Sequence, residues 1–242
     1  MHSSSKETTC DKRICFYECD SMKRFKLSEV LKLSSELAGY DYTWKGFSHS
    51  FLMENNMVFL LSRVSFHIFK NPSDQEEICA ATWEREIKGA SYIRAFEVKD
   101  KSGDMLVQGE SIWILVNPET RRILKPSVYD FHTEKFPERT VICEPPGKIK
   151  YGELTFAGKR EVRRSDIDAN GHVYNAVYVD IALDYLSDEY YGKEIDNFRI
   201  NYVSEAKSGD SIDIYVSYEG KKAFVIGITD EKTCFETEFI YK

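Results

Sequence analysis

Between residues 163 and 175 the chain reads Arg163-Arg164-Ser165-Asp166-Ile167-Asp168-Ala169-Asn170-Gly171-His172-Val173-Tyr174-Asn175. Asp168, Asn170 and His172 put a carboxylate, an amide and an imidazole at alternate positions, with Gly171 among them. Carboxylates and imidazoles are the side chains that move protons near neutral pH. The residues that follow, with Ala176, Val179, Leu183 and Leu186 at helical spacing, predict a helix from Asn175 to Leu186 whose other faces carry Asp180 and Asp184. A helix N-terminus leaves backbone N–H groups without partners and favours negative charge. An Asp or Asn there has a plain explanation as a cap. That explanation covers one polar residue, not three with a glycine between them. The chemistry to expect is activation of water, or orientation of a substrate, at a turn that opens a helix.

Elsewhere the chain offers less. His49, His67 and His132 fall in a connector, a strand and a proline-rich stretch, with no carboxylate spaced to serve them. The six cysteines show no paired spacing, and Cys10, Cys15 and Cys19 have no matching Cys/His pair to complete a zinc site. Neither a metal nor any other cofactor is expected. Free thiols suit a reducing cytoplasm, the expected location. Cys143 and Cys234 are nucleophiles only in principle, since neither has a Cys-His setting. Glycine-rich phosphate loops and a Gly-x-Ser-x-Gly elbow are absent, which argues against nucleotide use and an α/β-hydrolase. Glu205 reads on pattern alone as a solvated residue at a strand end, before the Ser208-Gly209-Asp210 turn.

The elements that must position these groups follow from pattern. The 242 residues suffice for one large domain or two small ones, and the 14% aromatic content favours sheet. A formal net charge of −7 argues against general nucleic-acid binding. No apolar run approaches the roughly 20 residues that span a bilayer, and the polar start is no secretory signal. Residues 1 to 12 are expected to be a disordered lead-in. A short strand is expected from Ile14 to Cys19. A helix then carries Leu27, Val30, Leu31, Ser34, Leu37 and Ala38 on one face, with Gly39 at its end or inside it. A connector follows from Ser48 to Asn56, and then strands at Met57 to Phe69, Ile78 to Ile87, Ser91 to Val98 and Met105 to Val116. Residues 117 to 150 hold five of the six prolines and no periodicity, which marks a linker. The order then recurs: a strand from Glu153 to Val162, the helix, and strands at Phe198 to Val203, Ser211 to Tyr218, Ala223 to Ile228 and Cys234 to Tyr241. The reading is an α+β architecture made twice, 13–116 and 151–242, each copy an antiparallel sheet curled around a long helix.

The stretch from Arg163 to Asn175 resembles the acyl-acyl carrier protein thioesterases, whose second half carries a strand ending in two arginines, then Ser-Asp-x-Asp-x-Asn-x-His-Val-x-Asn, then a helix. The resemblance runs from about Ile14 to the C-terminus. One departure is clear, for Tyr174 stands where plant members usually have Asn. The resemblance implies a tandem hotdog fold that hydrolyses acyl-acyl carrier protein to free fatty acid, with acyl carrier protein as its partner. It implies a site of Asp168, Asn170, His172 and Glu205, the last matching the Glu of a Glu-Cys pair whose Cys position is Ala206 here. The first copy has Asp20-Ser21-Met22-Lys23-Arg24-Phe25-Lys26 at the matching place, without a His and with a single carboxylate. It is expected to be non-catalytic and to supply partner surface and an acyl pocket, with Leu31, Leu37, Trp44 and Phe47 at the pocket's far end. The basic run of Lys148, Lys150, Lys159, Arg160, Arg163 and Arg164 suits docking of an acidic carrier. The competing readings are an acyl-CoA thioesterase of the same fold, a dehydratase (whose His-Phe-Pro-Gly signature is missing) and a non-catalytic acyl-binding protein. Pairing of sheet edges into a homodimer is compatible with the pattern.

Overall fold

The computed structural model describes residues 1–242. Its first elements are β1 (His2–Ser3) and β2 (Thr8–Arg13), which corrects the expected disordered lead-in. Thr8-Thr9-Cys10-Asp11-Lys12-Arg13 carries no apolar alternation, so nothing local marks a strand. Long-range pairing makes one. Thr8 to Arg13 run antiparallel to Thr82 to Glu77 of β4 (Glu77–Lys88), and the Thr8 hydroxyl donates to buried Asp41 at 2.9 Å. The strand expected from Ile14 to Cys19 is instead a single 3-10 turn, Phe16–Glu18. Phe16 and Tyr17 face solvent, and the Glu18 carboxylate closes the turn by accepting the Cys15 N–H at 2.9 Å and the Lys12 ammonium at 2.6 Å.

The remaining elements fall where the periodicities place them. In the first half α1 (Leu27–Trp44) runs straight through Gly39 and buries Leu27, Val30, Leu31, Leu33, Leu37 and Ala38. A short α2 (His49–Glu54) interrupts the connector, capped by the Ser48 hydroxyl accepting the Phe51 N–H at 3.2 Å. Then come β3 (Val58–Ile68), β4, β5 (Ser91–Asp100) and β6 (Met105–Val116). The second half has β7 (Thr155–Glu161), α3 (Asn175–Asp184), β8 (Ile195–Tyr202), β9 (Ser211–Glu219), β10 (Lys222–Thr229) and β11 (Lys232–Tyr241).

All strands join one 11-stranded sheet in the order β1-β2-β4-β5-β6-β3-β8-β11-β10-β9-β7. The halves meet where β3 pairs with β8, from Arg63 opposite Asn201 to His67 opposite Asn197. Each half-sheet curls around its own long helix, α1 and α3 pack against each other, and 37 buried residues from both halves form one continuous core. This is the expected pair of hotdog units. Fully burying one Leu or Phe side chain is worth about 1.5–3 kcal/mol, so a core this shared ties the halves into one body.

The proline-rich stretch from 117 to 150 is a strap pinned to the body along its length, with Tyr129 and Phe131 packed on Tyr42 of α1 and on Phe47 and Phe51. The Arg139 guanidinium lies 3.6 Å over the Trp83 ring, Gln108 exchanges hydrogen bonds with Thr140 and Ile142 at 3.3 and 2.9 Å, and Ile149 is buried on Phe224 and Ile226. No helix is long and apolar enough to cross a membrane.

Candidate active site

The turn that opens α3 is built around Asp168. Its carboxylate Oδ1 accepts the N–H of Asn170 at 2.8 Å and of His172 at 3.4 Å. Its backbone N–H donates to the His172 carbonyl at 2.9 Å, and its carbonyl accepts the Gly171 N–H at 3.1 Å. Gly171 has φ +82°, a left-handed conformation open to glycine without strain. Asp166, which the motif reading passed over, is buried and holds the approach to the turn. It accepts the Arg163 N–H at 2.7 Å and takes Arg160 on both oxygens at 3.0 and 2.9 Å.

The turn presents His172 to Glu205. The imidazole Nε2 lies 3.2 Å from Glu205 Oε2, with about a quarter to a third of each side chain exposed. Glu205 sits on the loop after β8, and that loop is held against the turn and the helix. The Val173 N–H donates to the Ala206 carbonyl at 2.9 Å, and the Ala206 N–H donates to the Tyr178 hydroxyl at 3.1 Å. Burial raises the Tyr178 hydroxyl, so it stays protonated and acts through hydrogen bonds alone. A third charge completes the cluster: the Arg121 guanidinium also pairs with Glu205 Oε2. Asn170 is exposed, with its amide Nδ2 3.4 Å from Asp168 Oδ2. Tyr174 occupies the cap position of α3 without a side-chain acceptor for the first N–H groups, which leaves donors available beside the pair. Burial first, then the charges of Glu36, Glu29 and Asp168, raise the Tyr174 hydroxyl.

The first half repeats this construction without the imidazole–carboxylate pair. Asp20 Oδ1 accepts the N–H groups of Met22 and Arg24 at 2.8 and 2.9 Å, its N–H donates to the Arg24 carbonyl at 2.8 Å, and its carbonyl accepts the Lys23 N–H at 2.9 Å. Lys23 takes the positive-φ position at +61°. The Phe25 N–H donates to the Pro72 carbonyl at 2.8 Å just as Val173 donates to Ala206. Matching residue for residue, Met22 stands for Asn170, Arg24 for His172 and Asn71 for Glu205. The Arg24 guanidinium folds back on Asp20 at 2.8 Å. An amide and a guanidinium cannot take a proton from water, and this explains why chemistry is expected in one copy only.

The other expected residues scatter. A cavity of about 460 Å³ lies in the first half between the C-terminal part of α1, α2 and the sheet, with Ser35, Gly39, Tyr42, Phe47, Phe59 and Trp113 on its wall. Of the four residues expected at a pocket, Phe47 lines this cavity. Leu31 and Leu37 do not, since both are fully buried in the core between helix and sheet. Trp44 points outward and is half exposed. The reason is rotational, since the apolar stripe of α1 faces the core and a different flank lines the cavity. Glu84 and Arg94 make part of the wall polar. None of Asp168, Asn170, His172 and Glu205 lines the cavity; Glu36 on its wall is the residue whose charge reaches Tyr174. Of the basic run, Lys159 pairs with Asp213 at 2.9 Å and Arg160 with Asp166, while Arg163 and Arg164 are exposed and in no ion pair. Arg121 had no signal in the sequence, because it reaches Glu205 from a turn 84 positions away.

Comparison with known proteins finds matches over both halves. Residues 6–130 match the family model described as the acyl-ACP thioesterase N-terminal domain, and residues 153–239 match the acyl-ACP thioesterase C-terminal domain. Oleoyl-acyl carrier protein thioesterase 2 of Arabidopsis thaliana, a chloroplastic protein, is 21% identical over 237 residues, which cover 88% of this chain and 63% of that protein. The oleoyl-acyl carrier protein thioesterase of Coriandrum sativum is 22% identical, covering 84% of this chain and 60% of that one. The chain thus spans a little under two thirds of these plant relatives' length. The crystal structure of an acyl-ACP thioesterase from Bacteroides thetaiotaomicron superposes with a TM-score of 0.91 at 23% identity, covering 99% of this chain and 100% of that one. The 12:0-ACP thioesterase of Umbellularia californica superposes at 0.82 with 16% identity, covering 100% and 99%. With both family domains matched in order across the two hotdog units, the chain belongs to the acyl-ACP thioesterase family.

Proposed function

We propose that the protein hydrolyses the thioester of acyl-acyl carrier protein, releasing free fatty acid and the carrier thiol. The observation that carries this is the His172–Glu205 pair, 3.2 Å apart beside the uncapped start of α3. A water held by the pair gives its proton to it while the water oxygen bonds to the thioester carbon. The carbonyl oxygen, negative in the tetrahedral intermediate, takes backbone N–H groups of the first helical turn. One such donor is worth about 3 kcal/mol of barrier. The C–S bond then breaks with its electron pair on sulfur, and the thiolate recovers the proton. A thiolate leaves readily, so no strong acid is needed.

Ala206 occupies the position of the plant cysteine and is fully buried, so water attacks directly. Burial pushes the Cys143 thiol up to about 12 and raises that of Cys234, which makes both poor nucleophiles. Asp168 shapes the turn, and Asn170 presents its amide at the rim. The acyl chain lies in the cavity of the first half. Arg163 and Arg164, exposed and unpaired, suit docking of an acidic carrier. Lys159 and Arg160 serve structure instead, each tied to a carboxylate.

The test is steady-state hydrolysis of chain-matched acyl-carrier and acyl-CoA series by the purified protein. We expect turnover of the carrier thioesters, with losses of about 100- to 1000-fold in His172→Ala and Glu205→Gln at unchanged melting temperature. Folded protein inert toward both series overturns the reading, and a higher kcat/KM on the CoA series makes it an acyl-CoA thioesterase. The double variant Arg163→Glu/Arg164→Glu is expected to raise KM for carrier substrates and spare small thioesters. Equal loss on both removes the arginines from docking.

A further inference from the structure

Glu205 Oε2 is shared by two donors from opposite halves of the molecule: His172 of the catalytic turn and Arg121, which follows β6 in the first half. Oε1 of the same carboxylate receives no protein donor. The turn that carries Arg121 is closely built. Asn117 Oδ1 accepts the N–H groups of Glu119 and Thr120 at 3.1 and 2.8 Å. The Asn117 carbonyl accepts the Arg121 N–H at 2.9 Å, and its N–H donates to the Arg122 carbonyl at 2.9 Å. Arg121 itself sits at φ +58°, a conformation that costs a non-glycine residue something of order 1 kcal/mol. A surface arginine with no task has no need of such a turn.

We propose that Arg121 is a positioning residue for the Glu205–His172 pair. It clamps Oε2 so that Oε1 is the oxygen turned toward water. The groups facing Glu205 are His172 from the turn, Arg121 from the strap and the Tyr178 hydroxyl from α3, whose titration feels the Glu205 charge; Asp168 stands one step behind through the His172 backbone. Removing Arg121 therefore takes away a cation and no anion. The half that lacks a reactive turn thus contributes to the site of the other. This rests on the hydrolase reading for its kinetic consequence and stands apart from it for the pairing itself.

Two variants of the full chain, Arg121→Gln and Arg121→Lys, test it. In Arg121→Gln we expect kcat on acyl-carrier substrate to fall about 10- to 100-fold with KM within about two-fold. Arg121→Lys should restore part of kcat. The His172 ring resonances, followed by NMR in histidine-labelled protein, should move in Arg121→Gln relative to the parent and return toward the parent positions in Arg121→Lys. A raised KM for carrier substrates with kcat unchanged would make Arg121 a docking residue and overturn the proposal. Unmoved His172 resonances overturn it whether or not the protein turns over any thioester. Moved resonances in a protein inert toward every thioester keep the pairing and sink the hydrolase reading alone.

Discussion

Asp168 and Asp20 make the same four backbone hydrogen bonds in the two copies, yet only Asp168 has an imidazole four residues on. The shared part of the pattern is therefore turn chemistry, and the difference between the copies falls on the groups proposed to react. Asp168→Ala and Asp20→Ala should each lose about 1–2 kcal/mol in denaturant melts, while only Asp168→Ala lowers kcat. Asp168→Asn keeps an acceptor oxygen and should lose only a few-fold. An Asp168→Asn protein that melts normally but is as inactive as His172→Ala would show that the carboxylate acts in the chemistry. Cys143 and Cys234 take no part in the proposed reaction, so alkylating the accessible thiols with iodoacetamide should leave kcat unchanged. A loss of activity that follows labelling of one of them would point to a thiol route.

At the scale of elements, α1 does two jobs on two flanks. Its apolar stripe packs into the core, and the flank with Ser35, Gly39 and Tyr42 bounds the cavity. Gly39 is the useful position, because a Cβ built there meets nothing within 4 Å. Gly39→Leu should fill cavity volume, shift the preferred substrate to shorter acyl chains and stabilise the helix by about 0.5–1 kcal/mol. An unchanged profile across an acyl ladder would move the acyl chain out of this cavity. The strands allow less freedom. A Cβ at Gly109 of β6 would lie 2.2 Å from the Ser65 carbonyl oxygen of β3, so no side chain fits where those strands cross.

Across the whole molecule, a buried ion cluster ties α1 to the first half-sheet beside the cavity. Arg94 pairs with Asp41 and lies 3.7 Å from Glu84, and Lys45 reaches the same two carboxylates at 2.8 and 3.1 Å. Two cations balance two anions there, so removing one leaves an uncompensated buried charge. Arg94→Met should cost about 3–5 kcal/mol, read as a drop in melting temperature. A variant that melts like the parent would show the cluster to be dispensable. The joint between β3 and β8 acts at the same scale, since the continuous sheet lets a first-half turn deliver Arg121 to a second-half carboxylate.

Local pattern sufficed for much of this. The 3.6-residue stripes identified α1 and α3, alternating and β-branched runs identified nine of the eleven strands within about three residues of their observed limits, and the alternate polar residues before α3 pointed to the candidate turn. Each is a property of neighbours along the chain, which is what a sequence displays directly. The polar strand β2 was invisible because its stability comes from pairing with β4 and from Thr8 meeting Asp41, partners 33 or more positions away. Leu31, Leu37 and Trp44 lie off the wall of this cavity, because periodicity marks a helix's apolar stripe without saying which flank borders empty space. The partnership of His172 with Glu205 and Arg121 was decided by tertiary structure, for it depends on two loops from different half-sheets ending at one point. Composition along the chain carries no record of such a meeting.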